Sequence, residues 1–245
     1  MMNSEEIRLS KLIANYGNYS RRQVDTFITK GEVFVNGKKA VLGQKGTIND
    51  NVEINGIKVK FKTKHIYYAV NKPKGFICAR TDEKGKEVIS LVPEFRKRNL
   101  FTIGRLDVNT TGLIIVTTDG ELAQKVNSPS HKIYKTYLVF LNKTLTIKEI
   151  NNLKKGIELD DGYVTKPVKK WKLIKNEQNS AIVKMTIIEG KKNQIRRMFD
   201  AVDNPVINLK RIGIGYLELN NLPLGEYKIF KQKELYDLFL IKNKL

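Results

Sequence analysis

The first stretch with a regular apolar rhythm runs from Ile7 to Ala14, where Leu9, Leu12 and Ile13 share one side of a helix and Arg8 and Lys11 another. Gly17 marks its end. Ser20-Arg21-Arg22-Gln23 then reads as a capping box, with the Gln23 backbone amide donating to the Ser20 hydroxyl and the Gln23 side chain reaching back. A second helix is expected from there to about Lys30, burying Val24, Phe27 and Ile28 before Gly31 stops it. Beyond Gly31 the rhythm shortens to two. Val33-Phe34-Val35 and Val52-Glu53-Ile54 alternate and run into Asn36-Gly37 and Asn55-Gly56, a dipeptide that accepts the positive backbone angles of a tight hairpin. Two short helices followed by short strands make a compact module of residues 1–62, closed by the charged, glycine-free connector Lys60 to His65.

A second unit, residues 63–245, opens with the apolar strand Ile66 to Val70 and the turn Asn71-Lys72-Pro73-Lys74-Gly75. Pro73 fixes its own backbone and Gly75 takes angles closed to other residues. Phe76 to Ala79 reads as the next strand, with Cys78 a buried structural thiol, and Thr81 to Lys86 as a polar loop. Leu113-Ile114-Ile115-Val116 is apolar on both faces, which predicts a buried central strand. Just before it, Phe101-Thr102-Ile103 turns at Gly104 and sets Arg105 and Asp107 on either side of Leu106. Period-two geometry puts that arginine and aspartate on one face, at a loop on the rim of a rigid sheet. Thr118 to Glu121 caps a helix that stops before Pro129; His131 to Val139 and Ala181 to Ile188 are strands. Ile195, Met198, Phe199 and Val202 recur at helical spacing and face the core, leaving Arg196 and Arg197 near the rim. A last helix from about Lys231 carries Leu235, Leu238 and Phe239 inward.

Composition narrows what such a chain does. At 245 residues there is room for one small and one ordinary domain. No apolar run approaches the roughly 20 residues of a membrane span, so a cytoplasmic, non-membrane protein is expected. One cysteine excludes an internal disulfide, and two histidines argue against a metal centre. The net charge of +20 changes the picture most, because so basic a chain favours a polyanionic partner through phosphate neutralisation.

Read as one pattern, GRLDVNTTGLIIVTTDG resembles the active-site motif of the RsuA/RluB/RluE/RluF family of pseudouridine synthases. NKPKG resembles the motif that opens the catalytic domain of that family, and KTYLV and EGKKNQIRRMF resemble two further motifs. RLSKLIA and SRRQVDTFITKGEVFVNGK resemble an S4 RNA-binding domain. The resemblance implies an α+β protein: a small S4-type module, then a catalytic domain on a mixed, mainly antiparallel sheet with flanking helices. It implies Asp107 as the catalytic carboxylate, Tyr137 as the residue that stacks on the target base, Arg196 as the partner of Asp107, and Ile195 as pocket lining. It also implicates Arg8, Lys11, Ser20, Arg21, Arg22 and Lys30 in RNA-backbone contacts. Arg105, Lys191, Lys192 and Arg197 join them as basic residues around the site.

Pseudouridine formation breaks the bond from N1 of uracil to ribose, turns the base and joins C5 to the same sugar carbon. One ionised carboxylate serves that purpose, and no metal or organic cofactor is implied. An arginine within about 4–6 Å would favour the charged form of Asp107. A stacked uridine cannot reach the carboxylate, so the nucleotide is expected to flip out, with Arg105 either filling the space or holding a phosphate. Attack on the base, attack on the sugar and removal of a sugar proton all remain open as the route of Asp107. The expected partner is ribosomal RNA or a pre-ribosomal particle, met by a monomer. Large-subunit (23S) rRNA is preferred over small-subunit (16S) rRNA, with a tRNA as a further substrate of some RluF-like members. Two other classes compete: a non-catalytic rRNA-binding assembly factor, and a glycosidase-like hydrolase, for which the usual carboxylate pair is not identifiable. Asp160-Asp161 reads as a solvated turn.

Overall fold

The computed structural model describes residues 5–62, 64–79, 86–95 and 97–237. Its N-terminal part comprises β1 (Ile7–Arg8), α1 (Leu9–Tyr16), α2 (Arg21–Lys30), β2 (Val33–Val35), β3 (Lys38–Lys39), β4 (Lys45–Gly46), β5 (Val52–Ile54) and β6 (Ile57–Lys58). Helix α1 starts two residues later than the apolar rhythm suggests, because Ile7 and Arg8 pair with β4 as a short strand. Its first free amide, on Leu9, donates to the Gln44 carbonyl at 2.8 Å, so no capping side chain is needed. Helix α2 has the expected box, Gln23 N to Ser20 Oγ at 3.3 Å and Ser20 N to Gln23 Oε1 at 2.8 Å. Both Asn-Gly steps have positive φ at each residue, 51° and 78° at 36–37, and 52° and 73° at 55–56. That twist matches the strands they join, β2 to β3 and β5 to β6. Leu9, Leu12, Ile13, Val24 and Ile28 pack on Val33, Val35, Val52 and Ile54, each burial worth about 1.5–3 kcal/mol. Phe27 is half-buried rather than core, edge-on to Tyr19 at the margin of that cluster.

The larger part follows as β7 (Tyr67–Lys72), β8 (Phe76–Ile77), β9 (Lys86–Glu87), β10 (Phe101–Ile103), β11 (Thr110–Thr117), α3 (Gly120–Asn127), β12 (Lys135–Leu141), α4 (Ile147–Lys155), β13 (Lys170–Glu177), β14 (Ser180–Ile187), α5 (Gln194–Asp200), β15 (Val206–Ile214), β16 (Leu217–Glu218), β17 (Tyr227–Phe230) and α6 (Gln232–Tyr236). One sheet runs β13-β14-β12-β15-β11-β7-β17, with β10 added to β11 and β16 to β15. All its pairs are antiparallel except β11 with β15, so the expected mixed, mainly antiparallel α+β architecture is what forms. The parallel pair sets Gly112 against Arg211 at φ +105°. A Cβ there would lie 2.1 Å from the Arg211 carbonyl oxygen, so only glycine lets the strands meet.

Strand β11 is buried on both sides, as its apolar run predicts. Ile114 and Val116 belong to one core with Tyr68, Val70, Tyr137, Val139, Val183, Met185 and Phe199. Leu113 and Ile115 belong to the opposite core, which α3 and α6 close through Leu122, Val126 and Leu235. Two strands are shorter than expected. The one at Phe76 stops at Ile77, and the one at His131 begins only at Lys135, because Lys132 sits at φ 47° and breaks the extended run. Residues 81–85, Leu238 and Phe239 lie outside the described residues. Among the described residues no helix is long and apolar enough to cross a membrane, and no group of three His, Cys, Asp or Glu gathers as a metal site.

The N-terminal part is joined to the rest by more than the chain. Lys62 Nζ donates to the Lys97 carbonyl at 3.3 Å, Asn99 Nδ2 to the Ala14 carbonyl at 3.1 Å, and Lys11 pairs with Glu121 at 3.3 Å. The Tyr16 ring stacks on His65 with centroids 5.3 Å apart. Burial pushes the His65 imidazole below its ordinary pKa.

Candidate active site

The loop from Gly104 to Asn109 connects β10 to β11 and is anchored by its one buried apolar side chain. Leu106 is buried in the same core as Tyr137 and Ile195, while Arg105 and Asp107 on either side stay exposed, the alternation that the sequence predicts. Backbone bonds then hold the loop from both ends. Leu106 N donates to Cys78 Sγ at 3.4 Å, and Thr110 N to the Asp107 carbonyl at 3.0 Å. Cys78, expected to be buried within a strand, is half-buried just past its end and takes part in this backbone contact, its pKa pushed up chiefly by burial.

Beneath the loop lies Lys72, whose side chain is fully buried. Its Nζ donates to the carbonyls of Pro73 at 2.9 Å, Phe76 at 2.8 Å and Val108 at 3.2 Å. Gly75 N donates to the same Val108 carbonyl at 3.0 Å. Burial lowers the lysine pKa, yet three acceptors around one nitrogen call for the three donors of an ammonium. The Asn-Lys-Pro-Lys-Gly turn is therefore pinned to the residue that follows Asp107.

The Asp107 carboxylate faces Asn193. In the amide orientation that satisfies both groups, Asn193 Nδ2 donates to Oδ2 at 2.8 Å and to Oδ1 at 3.3 Å. Asn193 holds this position because it sits at φ 52° immediately before α5. Arg196, expected to pair with Asp107, instead donates from Nη1 to the Val206 carbonyl at 2.9 Å and forms no ion pair with that aspartate. Three residues into α5, its side chain is directed to the start of β15, and the position facing the loop falls to Asn193. Besides Lys72, the cation that touches the loop is Arg211 of β15. It is buried opposite Tyr137, with Nε donating to Leu113 O at 2.7 Å and Nη1 reaching Arg105 O at 3.5 Å.

Tyr137 on β12 and Ile195 on α5 are brought into one cluster beside the loop. The basic candidates divide. Arg8, Arg21, Arg22, Lys30, Arg105, Lys191 and Lys192 are exposed. Lys191 lies over the Tyr163 ring at 4.6 Å. Lys11 is engaged with Glu121, and the Ser20 hydroxyl serves as the α2 cap. Arg197 is not a free cation: its guanidinium binds Asp160 and, at 2.7 Å, Asp161, so this turn is a docked one rather than merely solvated. Asp161 is held below the usual carboxylate range by that guanidinium.

Lys72, Asn193 and Arg211 are the site residues that motif reading passed over. Arg211 did leave a signal, since it shares strand parity with the buried Leu209 and Gly213. Lys72 similarly closes a run that is buried throughout.

The RNA pseudouridylate synthase family model matches residues 66–201, and the S4 domain model residues 7–45. The chain is 37% identical over 220 residues to ribosomal large subunit pseudouridine synthase B of Bacillus subtilis, covering 89% of this chain and 90% of that protein. It is 34% identical over 246 residues to dual-specificity RNA pseudouridine synthase RluF of Escherichia coli K12, covering 99% and 82%. A crystal structure of a pseudouridylate synthase superposes with a TM-score of 0.68 at 31% identity, covering 95% of this chain and 99% of that one. The Asp107 loop thus sits in a fold shared over nearly its whole length with such enzymes, and the chain belongs to the RNA pseudouridine synthase family with an N-terminal S4 domain.

Proposed function

We propose that this enzyme converts a uridine of ribosomal RNA to pseudouridine, with large-subunit RNA as the substrate and Asp107 as the catalytic carboxylate. The observation that carries the assignment is an exposed Asp107 on a loop fixed at Leu106, Val108 and Thr110, with Tyr137 and Ile195 clustered beside it. A rigid mount of this kind holds a reacting group within the tolerance that catalysis demands. The target nucleotide leaves its stack, at a cost of a few kcal/mol, and Tyr137 and Ile195 form the wall that receives its base. Asn193 orients the carboxylate, and Arg196, held at Val206, is a further basic side chain beside the Lys72 and Arg211 cations.

Residues 1–62 act as a separate RNA grip, and residues 63–245 carry the chemistry. Arg8, Arg21, Arg22 and Lys30 supply phosphate contacts that position the RNA without reading its sequence. The protein works as a cytoplasmic monomer on rRNA or on a pre-ribosomal particle. The large-subunit assignment follows the likeness to the Bacillus subtilis synthase, and the RluF relative keeps a second RNA substrate in view.

Base-resolved pseudouridine mapping of unmodified rRNA transcripts, incubated with wild type and with Asp107→Asn, tests this reading. One new site in large-subunit RNA, lost in the variant while RNA affinity persists, is the expected result. A site that survives Asp107→Asn removes the aspartate from the mechanism, and a site in small-subunit RNA alone reassigns the substrate.

A further inference from the structure

Among the described residues, half of the sheet has no helix packed on one face. Across β11 and β7 that face is closed by α3 and α6 through Leu113, Ile115 and Ala69. The same face continues through β15, β12, β14 and β13, because residues in register point to the same side. Thr111 opposes Lys210, Lys210 opposes Leu138, Leu138 opposes Lys184, and Lys184 opposes Lys172. The intervening residues Arg211, Tyr137, Met185 and Trp171 point into the other core, beside the Asp107 loop. One cross-strand row therefore carries three lysines on the face opposite Tyr137.

Lys172 and Lys184 are exposed and Lys210 half-exposed, and among the described residues none of them has an ion-pair partner. Lys170 stands in the next row, in register with Thr186 and Thr136, whose hydroxyls bond at 3.0 Å. Lys74 reaches the same face, donating to Asn208. At the hairpin end of β13, Glu177 is engaged with Lys175 at 2.9 Å and with none of these lysines.

Lysines on an edge strand serve to block strand pairing, which accounts for Lys170 and Lys172 on β13. It does not account for Lys184 and Lys210, because β14 and β15 are interior strands whose edges are already paired. Like charges directly opposite one another destabilise a sheet, so Lys172 against Lys184 is a local cost, and among the described residues no acid forms an ion pair with either. Lys172 to Lys210 spans three strand spacings, about 14 Å, which follows a length of anionic backbone rather than a single phosphate.

We propose that this open face, centred on Lys172, Lys184 and Lys210, is a second RNA-docking surface that grips the phosphate backbone of structured RNA away from the target nucleotide. The proposal rests on the reading of the chain as an rRNA-modifying enzyme. Because the row lies opposite Tyr137, a minimal stem-loop held at Asp107 does not reach it, whereas a folded rRNA domain does.

The test uses the full chain, a folded large-subunit rRNA domain transcript and a minimal stem-loop carrying the modified uridine. Binding is measured by fluorescence anisotropy between 50 and 200 mM salt for wild type, for Lys172→Gln/Lys184→Gln/Lys210→Gln, and for a control, Lys148→Gln/Lys154→Gln/Lys155→Gln, on the exposed surface of α4. Losing three phosphate contacts lowers the log–log salt slope by about 2.1–2.7, so wild type loses about 20- to 40-fold more affinity than the variant across that range. The stem-loop is bound and turned over alike by wild type and variant. An unchanged slope on the domain transcript overturns the proposal and leaves the face to an acidic protein partner; an equal change in the control overturns it as a mere effect of net charge. Lys184→Gln alone, with about one unit less slope, checks that the result does not come from misfolding. If wild type forms no pseudouridine in any transcript, the enzymatic reading fails, while the slope comparison still judges the docking face.

Discussion

Replacing Lys72 with methionine isolates what fixes the Asp107 loop, because methionine keeps the length and apolar stem of the side chain and removes only the ammonium. The wild-type nitrogen makes three hydrogen bonds to carbonyls, at 2.9, 2.8 and 3.2 Å. Bonds to a charged donor contribute about 1.5–3 kcal/mol each. Against them stands the cost of burying the ammonium, several kcal/mol, which methionine relieves. Val108 keeps its bond from Gly75, so it is not orphaned, whereas Pro73 and Phe76 each lose the donor that Lys72 supplies. The net loss expected is about 2–4 kcal/mol. Because Val108 adjoins Asp107, the carboxylate also loses its fixed position, and a displacement near 1 Å costs up to about 100-fold in rate. Urea unfolding with single-turnover pseudouridine formation on an rRNA transcript reads both quantities. RNA affinity is expected to hold, since the exposed basic residues are untouched. A variant within about 0.5 kcal/mol of wild type with unchanged turnover would refute the claim that Lys72 mounts the Asp107 loop.

The remaining predictions concern the carboxylate and the contact between the two parts of the chain. Asn193→Ala removes the donor to Asp107 and is expected to lower kcat by roughly ten-fold or more with little change in RNA affinity, in line with the loss of an orienting hydrogen bond of about 1.5–3 kcal/mol; Arg196→Ala, measured beside it, separates the two contributions, and an unchanged kcat for Asn193→Ala would show the contact to be incidental. Burial against the Tyr16 and Tyr67 rings depresses the His65 pKa, with Arg98 reinforcing that shift and Asp119, Glu121 and the Thr118 hydrogen bond opposing it. Its folded pKa is depressed, so the unfolded state takes up the proton first. Stability is full above the ordinary value of 6.5 and falls as pH drops from there through the folded pKa. Urea midpoints at pH 7.5, 6.5 and 5.5 should decline less steeply in His65→Phe than in wild type, and parallel declines would sink the assignment.

Local rules carried much of the architecture. The capping box at Ser20 and Gln23, the two Asn-Gly hairpins, the doubly buried β11 and the helix carrying Ile195, Met198 and Phe199 all depend on neighbours within a few residues. What failed locally failed for local reasons too: a left-handed Lys132 delays β12, and pairing with β4 delays α1. The candidate site was legible as motifs, with Asp107, Tyr137 and Ile195 arriving in one neighbourhood from a loop, a strand and a helix. Its wiring was not. Which donor meets the carboxylate depends on where α5 begins relative to the loop, and that placed Asn193, not Arg196, against Asp107.

The sequence by itself determined the element types, the alternation that exposes Asp107 around a buried Leu106, the excess of positive charge and the family to which the chain belongs. Periodicity, turn chemistry and composition are properties of short stretches or of sums, and they survive without three-dimensional information. Only the tertiary structure decided that Lys72 and Arg211 support the Asp107 loop, that Arg197 is spent on Asp160 and Asp161, and that lysines from β13, β14 and β15 stand in one row. Each of these joins residues far apart in the chain. Such pairings are fixed by strand register and by the packing of helices on the sheet, which no local pattern encodes.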